Sequence, residues 1–551
     1  MRKKWKPIPT ILIFVLLLLV ISACSSETST DNGTSVNDEG IAGSQEGASE
    51  SSEPKRGGTM VMLSPADPDM LDPHRQSSIY THLLAGLVYN KLVSYETGPN
   101  VEFTDYNVVP DLAERWEISE DGTVYTFYLR ETYWHDKEPV NGRQLNAEDV
   151  VATMERIVTL PGHQAALLSE VTSVEAKDDT TVVFTLKQPF APFLNFLANH
   201  FMWILPKEAI EGEIDLATDS IGTGPFVLEE WEDNVQATYT RNPKYYEEGK
   251  PYLDGVEFKV VPDQSARIAA FRTGQADGIG ALSPEELNQL LKTNPDTVVT
   301  DNLFPTQEQL FMNLEKEPFN DIKVRKAINL AIDRQSMVDS IYGGGELSSP
   351  VNPSLGDWAL PLEERKELMP YDPEEAKKLL AEAGFPNGFD TTLIVTNGYG
   401  EQLVRVAQWV AEDLRNIGIN AEIEIVEYAS YFSERWPKKN YEIGVGYQTY
   451  FQEPDEWLRT QLHTNGARNW YNIGDTELDK MLDEQRLILD QDERKAYVHE
   501  IQRYVLNNLV NPIPLTTYYT KTPRQPHIRD SYPHASYGYG YLKDAWFDIE
   551  E

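Results

Sequence analysis

Four stretches alternate β-branched or aromatic residues with polar ones: TVYTFYL at 123–129, TTVVFTL at 180–186, VEFKVV at 256–261 and INAEIEIVE at 419–427. A period of two marks a strand with one buried face. Between these runs, apolar positions recur every three to four residues, which predicts amphipathic helices. The clearest begins at Asp372-Pro373-Glu374-Glu375, with an acid to cap the first turn, a proline that pre-sets it and Glu375 three residues on. Ala376, Leu379, Leu380 and Ala383 form its apolar stripe, and Gly384 ends it. Further helices are expected at 146–158 behind Asn146, at 322–342 up to glycines 343–345, at 401–416 before Gly418, and in two pieces across 476–508. Strands alternating with helices specify an α/β class. The segment GYQTYFQEPDEW at 446–457 joins an alternating run to a helical one and sets aromatic rings among carboxylates and amides.

The amino terminus follows a different pattern. Arg2, Lys3, Lys4 and Lys6 precede an apolar run from Ile8 to Ile21, followed by ISAC ending at Cys24. A bilayer span needs roughly 20 residues, so the run reads as an export signal. ISAC resembles the lipobox of bacterial lipoproteins, which implies cleavage before Cys24 and a diacylglycerol on its thiol. Cys24 is the only cysteine, which excludes disulfides and cysteine metal sites. Residues 25–53 hold eight Ser, seven Asp or Glu, four Gly and no aromatic residue, too little apolar surface to offset ordering entropy. As a coil, this tether would reach about 30 Å.

The body beyond it is too long for one core, and its length suggests about three domains. A formal charge of −40 makes nucleic acid an improbable partner. No second apolar run is long enough to span a membrane. The glycines at 343–345 lead into Glu346 and Leu347, not the Lys-Ser/Thr of a phosphate loop, and no GxSxG elbow occurs. His499-Glu500 lacks the second histidine of a zinc helix, and the nine histidines are scattered, so neither metal nor cofactor is expected. Glu453 and Asp455 could serve as an acid pair, but with 88 acids in the chain such pairs arise by chance, and a binding or capping role is expected instead.

Six stretches in one order resemble extracytoplasmic solute-binding proteins of family 5, the peptide, opine and nickel class. They are LAERWEISEDGTVYTFYLRETYWHDKEPVNGRQLNAEDVV at 112–151, GTGPFVLEEW at 222–231, NPKYYEEGKPYLDGVEF at 242–258, RIAAFRTGQAD at 267–277, FNDIKVRKAINLAIDR at 319–334 and YDPEEAKKLLAEAGFPNGFD at 371–390. The motifs are mostly scaffold: Gly222 and Gly224 suit a tight, hinge-like turn before Pro225, and Asp121-Gly122 a turn into the strand from Thr123.

The resemblance implies a two-lobed periplasmic-binding-protein fold with hinge and cleft, of the large type with an inserted domain. One lobe would combine 57–95, 218–305 and 516–551, with the inserted domain at 96–217 and the opposite lobe at 306–515, after a signal peptide at 1–23 and an acylated tether at 24–56. It further implies a monomer that binds rather than transforms a solute, held at the extracytoplasmic membrane face through Cys24. The solute would be handed to an ABC permease driven by a cytoplasmic ATPase.

Ligand candidates follow from the same resemblance. Peptide binders place an ammonium-pairing Asp four residues before the motif proline, and Tyr450 stands there relative to Pro454. A phenol brings no negative charge near neutral pH, so Asp455 is the alternative source. Tyr447 and Arg435 occupy an aromatic and an arginine position of the oligopeptide binders, the arginine suited to two parallel bonds with a carboxylate. Trp470 and Arg468 fall in a family loop near the cleft, Gln76 and Ser77 on the facing lobe, and Gln307 or Gln309 where 305–313 crosses between lobes. The expected solute is an oligopeptide held by strand-like hydrogen bonds. An oligosaccharide stacked on aromatic faces is the second ligand class, a nickel chelate or haem a weaker one, and an extracytoplasmic hydrolase the contrasting function.

Overall fold

A computed structural model describes residues 53–76, 78–160, 163–448 and 450–549. Cys24, the export signal, nearly all of the tether and Ser77 lie outside the described residues. From Pro54 onward the chain forms one compact unit.

All four alternating runs are strands, at Val124–Leu129, Thr181–Leu186, Gly255–Val260 and Ile419–Val426. Three main sheets organise the body. The eight-stranded sheet runs Val298–Leu303, Thr516–Arg524, Gly278–Ile279, Thr59–Ser64, Gly255–Val260, Gln236–Arg241 and Phe226–Glu232, with Gly345–Leu347 paired to Thr516–Arg524 off this path. The five-stranded sheet runs Ile419–Val426, Phe389–Thr396, Ile443–Tyr447, Glu308–Met312 and Ile513–Pro514. A four-stranded antiparallel sheet, Ala113–Ile118, Val124–Leu129, Thr181–Leu186 and Val171–Asp178, covers the middle of the inserted stretch. The chain passes from the eight-stranded to the five-stranded sheet through residues 304–307 and returns through Leu515. Gly345–Leu347 is a further link, since it leaves the stretch that builds the five-stranded sheet to pair with Thr516–Tyr518.

Local chemistry explains the helices. Asn146 accepts from Asp149 N while the Asp149 carboxyl accepts from Asn146 N, a reciprocal cap on Ala147–Thr159. Asp372 caps Pro373–Glu382 by accepting from Glu375 N at 2.9 Å, but the Glu375 side chain turns outward to Lys378 instead of back to the cap. The run at 322–342 is two helices, Ile322–Ala331 and Arg334–Tyr342, because Asp333 breaks the stripe and caps the second by accepting from Ser336 N at 3.1 Å. Glu401–Asn416 buries Val406, Ala407, Val410 and Leu414 against Leu393, Val395 and Ile443. Each such side chain contributes about 1.5–3 kcal/mol, so an aspartate at Val410 would undock the helix.

Gly222 and Gly224 are not left-handed. A Cβ on them would lie 1.8 and 2.6 Å from Val88 O, so the requirement is close backbone approach to the end of helix Ile79–Val88. Gly122 does need its freedom, at φ 68°, with the Asp121 carboxylate accepting from Thr123 N at 3.2 Å in the same turn.

Candidate functional site: an aromatic wall between the sheets

The segment 446–457 runs from the end of strand Ile443–Tyr447 to helix Pro454–Leu462. Tyr447 pairs with Glu308 across the five-stranded sheet. Its half-buried ring meets Tyr399 edge-on at 5.2 Å and Phe304, on the crossing, at 6.3 Å. Tyr450 stacks on Tyr537 at 4.4 Å, donates its hydroxyl to Ala535 O at 2.7 Å and accepts from Gln452 Nε2 at 3.0 Å. The phenol at the ammonium-partner position is therefore already committed to the C-terminal stretch.

The three acids of the segment divide in role. Glu453 caps the helix, accepting from Asp455 N at 2.6 Å, and is ion-paired to Arg494. Asp455 is ion-paired to Arg486 at 3.2 Å and accepts from Gln485 Nε2, while Gln485 Oε1 accepts from Arg494 Nε at 2.9 Å. Both carboxylates are buried, which pushes their pKa values up, and the arginines oppose that rise. Asp455 is thus spent inside a buried network and does not supply the charge missing at Tyr450. Glu456, also buried, acts instead on Tyr106, Tyr537 and Arg468. The charge of Glu456 thus reaches the aromatic wall, and both Glu453 and Glu456 act on Tyr95 beside Tyr106.

The other candidates separate. Arg468 is half-buried; burial pulls its pKa down and Glu456 opposes the shift. Trp470 packs edge-on against Trp436 at 5.0 Å, its carbonyl accepting from Tyr441 OH at 2.9 Å. Arg435 is held by Glu424 through two bonds and donates to Asn440 O at 2.9 Å, so its guanidinium is committed within its own lobe. Gln309 is buried and donates to Tyr471 OH at 3.0 Å; with Gln307, Gln448, Trp457 and Pro514 it lines a cavity of about 10 Å³. Gln307 donates to Ser349 O at 2.7 Å. Gln76 donates to Asp69 at 3.3 Å.

A larger cavity, about 200 Å³, is lined by Tyr537 together with Lys91, Tyr95, Asp111, Trp203 and His534. Burial pulls the Lys91 pKa down to about 8; its ammonium donates to Ala198 O at 2.6 Å and sits 4.8 Å from the Trp203 ring. No group of three or more His, Cys, Asp or Glu that could hold a metal occurs among the described residues. No helix among them is long and apolar enough to cross a membrane.

Glu456, Tyr399, Tyr537 and Lys91 were missed by reasoning from sequence. Only Glu456 left a signal: once Glu453 is read as the cap before Pro454, a first-turn acid at 456 follows.

Two sheets joined at 304–307, at Leu515 and through Gly345–Leu347, with an aromatic wall beside the junction, define a two-lobed solute-binding protein. Residues 107–469 match the model of the bacterial extracellular solute-binding proteins, family 5 middle. The chain belongs to that family and is the substrate-binding component of an ABC importer, extracytoplasmic as the family is. It is 29% identical over 491 residues to heme-binding protein A of Haemophilus influenzae, covering 84% of this chain and 86% of the relative. It is 30% identical over 432 residues to the dipeptide-binding protein of Escherichia coli K12, covering 73% and 78%. A periplasmic binding protein of Helicobacter pylori, solved with the peptide STSA, superposes with a TM-score of 0.72 at 27% identity, covering 90% of this chain and 99% of that one.

Proposed function

We propose that this chain is a lipoprotein, anchored through Cys24, that captures an oligopeptide between its two lobes and presents it to a membrane permease. The lobes are taken as 57–95 with 218–305 and 516–551 on one side, carrying the insert 96–217, and 306–515 on the other. Closure is then a rotation about the crossings at 304–307 and 515, with the solute favouring the closed state.

The observation that carries the peptide reading is the pairing of opposite charges behind an aromatic wall. Glu456 and Arg468 lie within electrostatic reach of each other beside the face formed by Tyr106, Tyr450 and Tyr537. A zwitterionic peptide presents an ammonium and a carboxylate to such a pair, and tyrosine faces accept varied side chains. The dipeptide-binding relative and the peptide-bound neighbour support the same class. Binding, not bond chemistry, is the work assigned to the site.

The test is to purify the protein without added ligand and identify by mass spectrometry what co-purifies. Peptides are expected. Their consistent absence, together with a sugar that raises the melting temperature through binding, would overturn the assignment. Mass analysis of the amino-terminal fragment of the mature protein should show a diacylated cysteine at position 24.

A further inference from the structure

Glu308 is the first residue of strand Glu308–Met312, just past the crossing at 304–307, and Thr516 is the first residue of Thr516–Arg524, just past the other crossing. Thr516 Oγ1 donates to Glu308 Oε2 at 3.1 Å, so one side-chain bond ties the two crossings together. Leu515 N, on the second crossing, donates to Glu308 O at 2.9 Å.

The carboxyl is fully buried, at 0% exposure; its Oε1 makes no bond of ordinary hydrogen-bond geometry among the described residues, and the Tyr342 hydroxyl beside it acts on its charge as a hydrogen-bonding group. Three phenols surround it from three elements: Tyr342 ends helix Arg334–Tyr342, Tyr447 ends its strand, and Tyr518 lies on Thr516–Arg524. Each of them feels the charge of Glu308. Tyr342 and Tyr518 stack at 4.0 Å, and Phe304 stacks on Tyr518 at 4.9 Å.

Among the described residues, no cation is found acting on this carboxyl. Arg334, on the helix of Tyr342, donates to Pro514 O at 2.9 Å and to Asn329, and Arg365 is paired with Glu346 at 2.8 Å. Neither is among the groups acting on Glu308. Burial raises the carboxyl from its ordinary 4.5 to about 7, with Tyr342 and Thr516 opposing. A buried acid with no cation is held most cheaply as the neutral form.

We infer that Glu308 is a positioning residue for closure: its carboxylate takes a proton from solvent as the lobes close over it and returns that proton as they open. The inference rests on the closure reading above. Opening at the crossings is taken to admit water to the carboxyl, which would return it toward its ordinary pKa.

The sign follows from linkage. The closed form binds the proton more tightly, so closure is favoured fully below about 4.5, loses about tenfold per pH unit up to about 7, and levels off above it. Glutamine at 308 keeps an acceptor for Thr516 and removes the titration.

Hydrogen exchange of the full-length protein, read by mass spectrometry on peptides covering 304–308 and 515–518 and corrected for intrinsic rate, tests this between pH 5 and 8. In the wild type, protection is expected to fall by more than tenfold between pH 5 and 7 and then plateau, and in Glu308→Gln to stay flat. Thr516→Val withdraws a bond that favours the charged form, so its fall should shift to higher pH; it decides the matter if Glu308→Gln fails to fold. Coincident profiles for wild type and variants would overturn the role of Glu308. The peptide reading stands or falls separately, on what co-purifies.

Discussion

Tyr450 stacks on Tyr537, ring centroids 4.4 Å apart and planes 24° apart, and donates to Ala535 O at 2.7 Å. The wall segment and the C-terminal stretch are thereby joined at the position where peptide-binding relatives are expected to keep their ammonium partner. Tyr450→Phe keeps the stack and loses one hydrogen bond, so it should cost about 1 kcal/mol in urea unfolding. Tyr450→Asp would set a carboxylate beside the Ala535 carbonyl, and should cost several kcal/mol, on the order of other buried unpaired charges. A stable Tyr450→Asp protein with new dipeptide affinity would show that the position still faces the ligand.

The Glu453–Arg494 pair is buried on both sides, with side chains 1% and 4% exposed. Removing one partner strands the other, so Arg494→Met or Glu453→Gln alone should destabilise the protein by about 3–5 kcal/mol. The two together should cost much less than the sum of the single changes, because neither charge of the pair is then left unpaired. Denaturant midpoints of the four proteins measure the coupling; additive losses would mean that the pair is not a unit.

Tyr447 and Arg435 should behave differently in ligand binding. Tyr447 lines the wall beside the crossing, and its loss to alanine is expected to weaken peptide binding by tenfold or more, the scale of a buried aromatic anchor. The guanidinium of Arg435 is committed to Glu424 and Asn440 O. Arg435→Ala should therefore change affinity less than about twofold and stability by no more than about 1 kcal/mol, as for other partly exposed pairs. Titration calorimetry with the co-purifying ligand distinguishes the two, and a large affinity loss at Arg435 would reassign it to the cleft.

Local order was legible in the sequence wherever a short-range rule applied. Val124–Leu129 and Ile419–Val426 follow from alternation, and Ala147–Thr159 from its cap. The break at Asp333 was misread because Ile332 continues the apolar stripe, although the Asp333 cap was present to be found. The site was legible only as a segment. That Tyr450 bonds Ala535, 85 residues away, or that Glu453 pairs with Arg494, 41 residues away, is set by how helices and the C-terminal stretch fold back on 446–457. No periodicity carries such pairings, so Asp455 could be named as a charge without its engagement by Arg486 being visible.

Glycines 222 and 224 should tolerate no side chain. A Cβ at 222 would lie 1.8 Å from Val88 O, and backbone cannot yield as a flexible side chain does. Gly222→Ala is expected to cost well over 1–3 kcal/mol, the usual range for overpacking, while Gly274→Ala, where no atom lies within 4 Å, should cost only what its φ of 73° imposes. Thermal melts of both variants make the comparison, and equal losses would remove the close-approach argument.

Acid should unfold the protein through its buried histidines. His74, His82, His135 and His534 each bring Nε2 to a backbone carbonyl, at 2.8, 2.9, 3.0 and 2.9 Å, which fixes the neutral ring with its proton on Nε2. Burial pulls their pKa values from 6.5 down to about 4, 3, 4 and 4. The unfolded chain therefore takes up protons below pH 6.5 that the folded chain refuses until about pH 4. Stability from each ring is fully present above 6.5 and is lost at about 1.4 kcal/mol per pH unit as pH falls through that window. Glu308 acts with the opposite sign: raised to about 7, it holds a proton in the folded state that the unfolded chain releases above about 4.5. It offsets part of the histidine loss between pH 5 and 6.5. Urea unfolding at pH 5.5 and 6.5 should show lower stability at 5.5. His135→Gln should reduce that difference by about 1 kcal/mol and Glu308→Gln should enlarge it by a similar amount, since one removes an acid-labile group and the other removes an offset. Differences that move the same way in both variants would mean that these groups do not titrate as their burial requires.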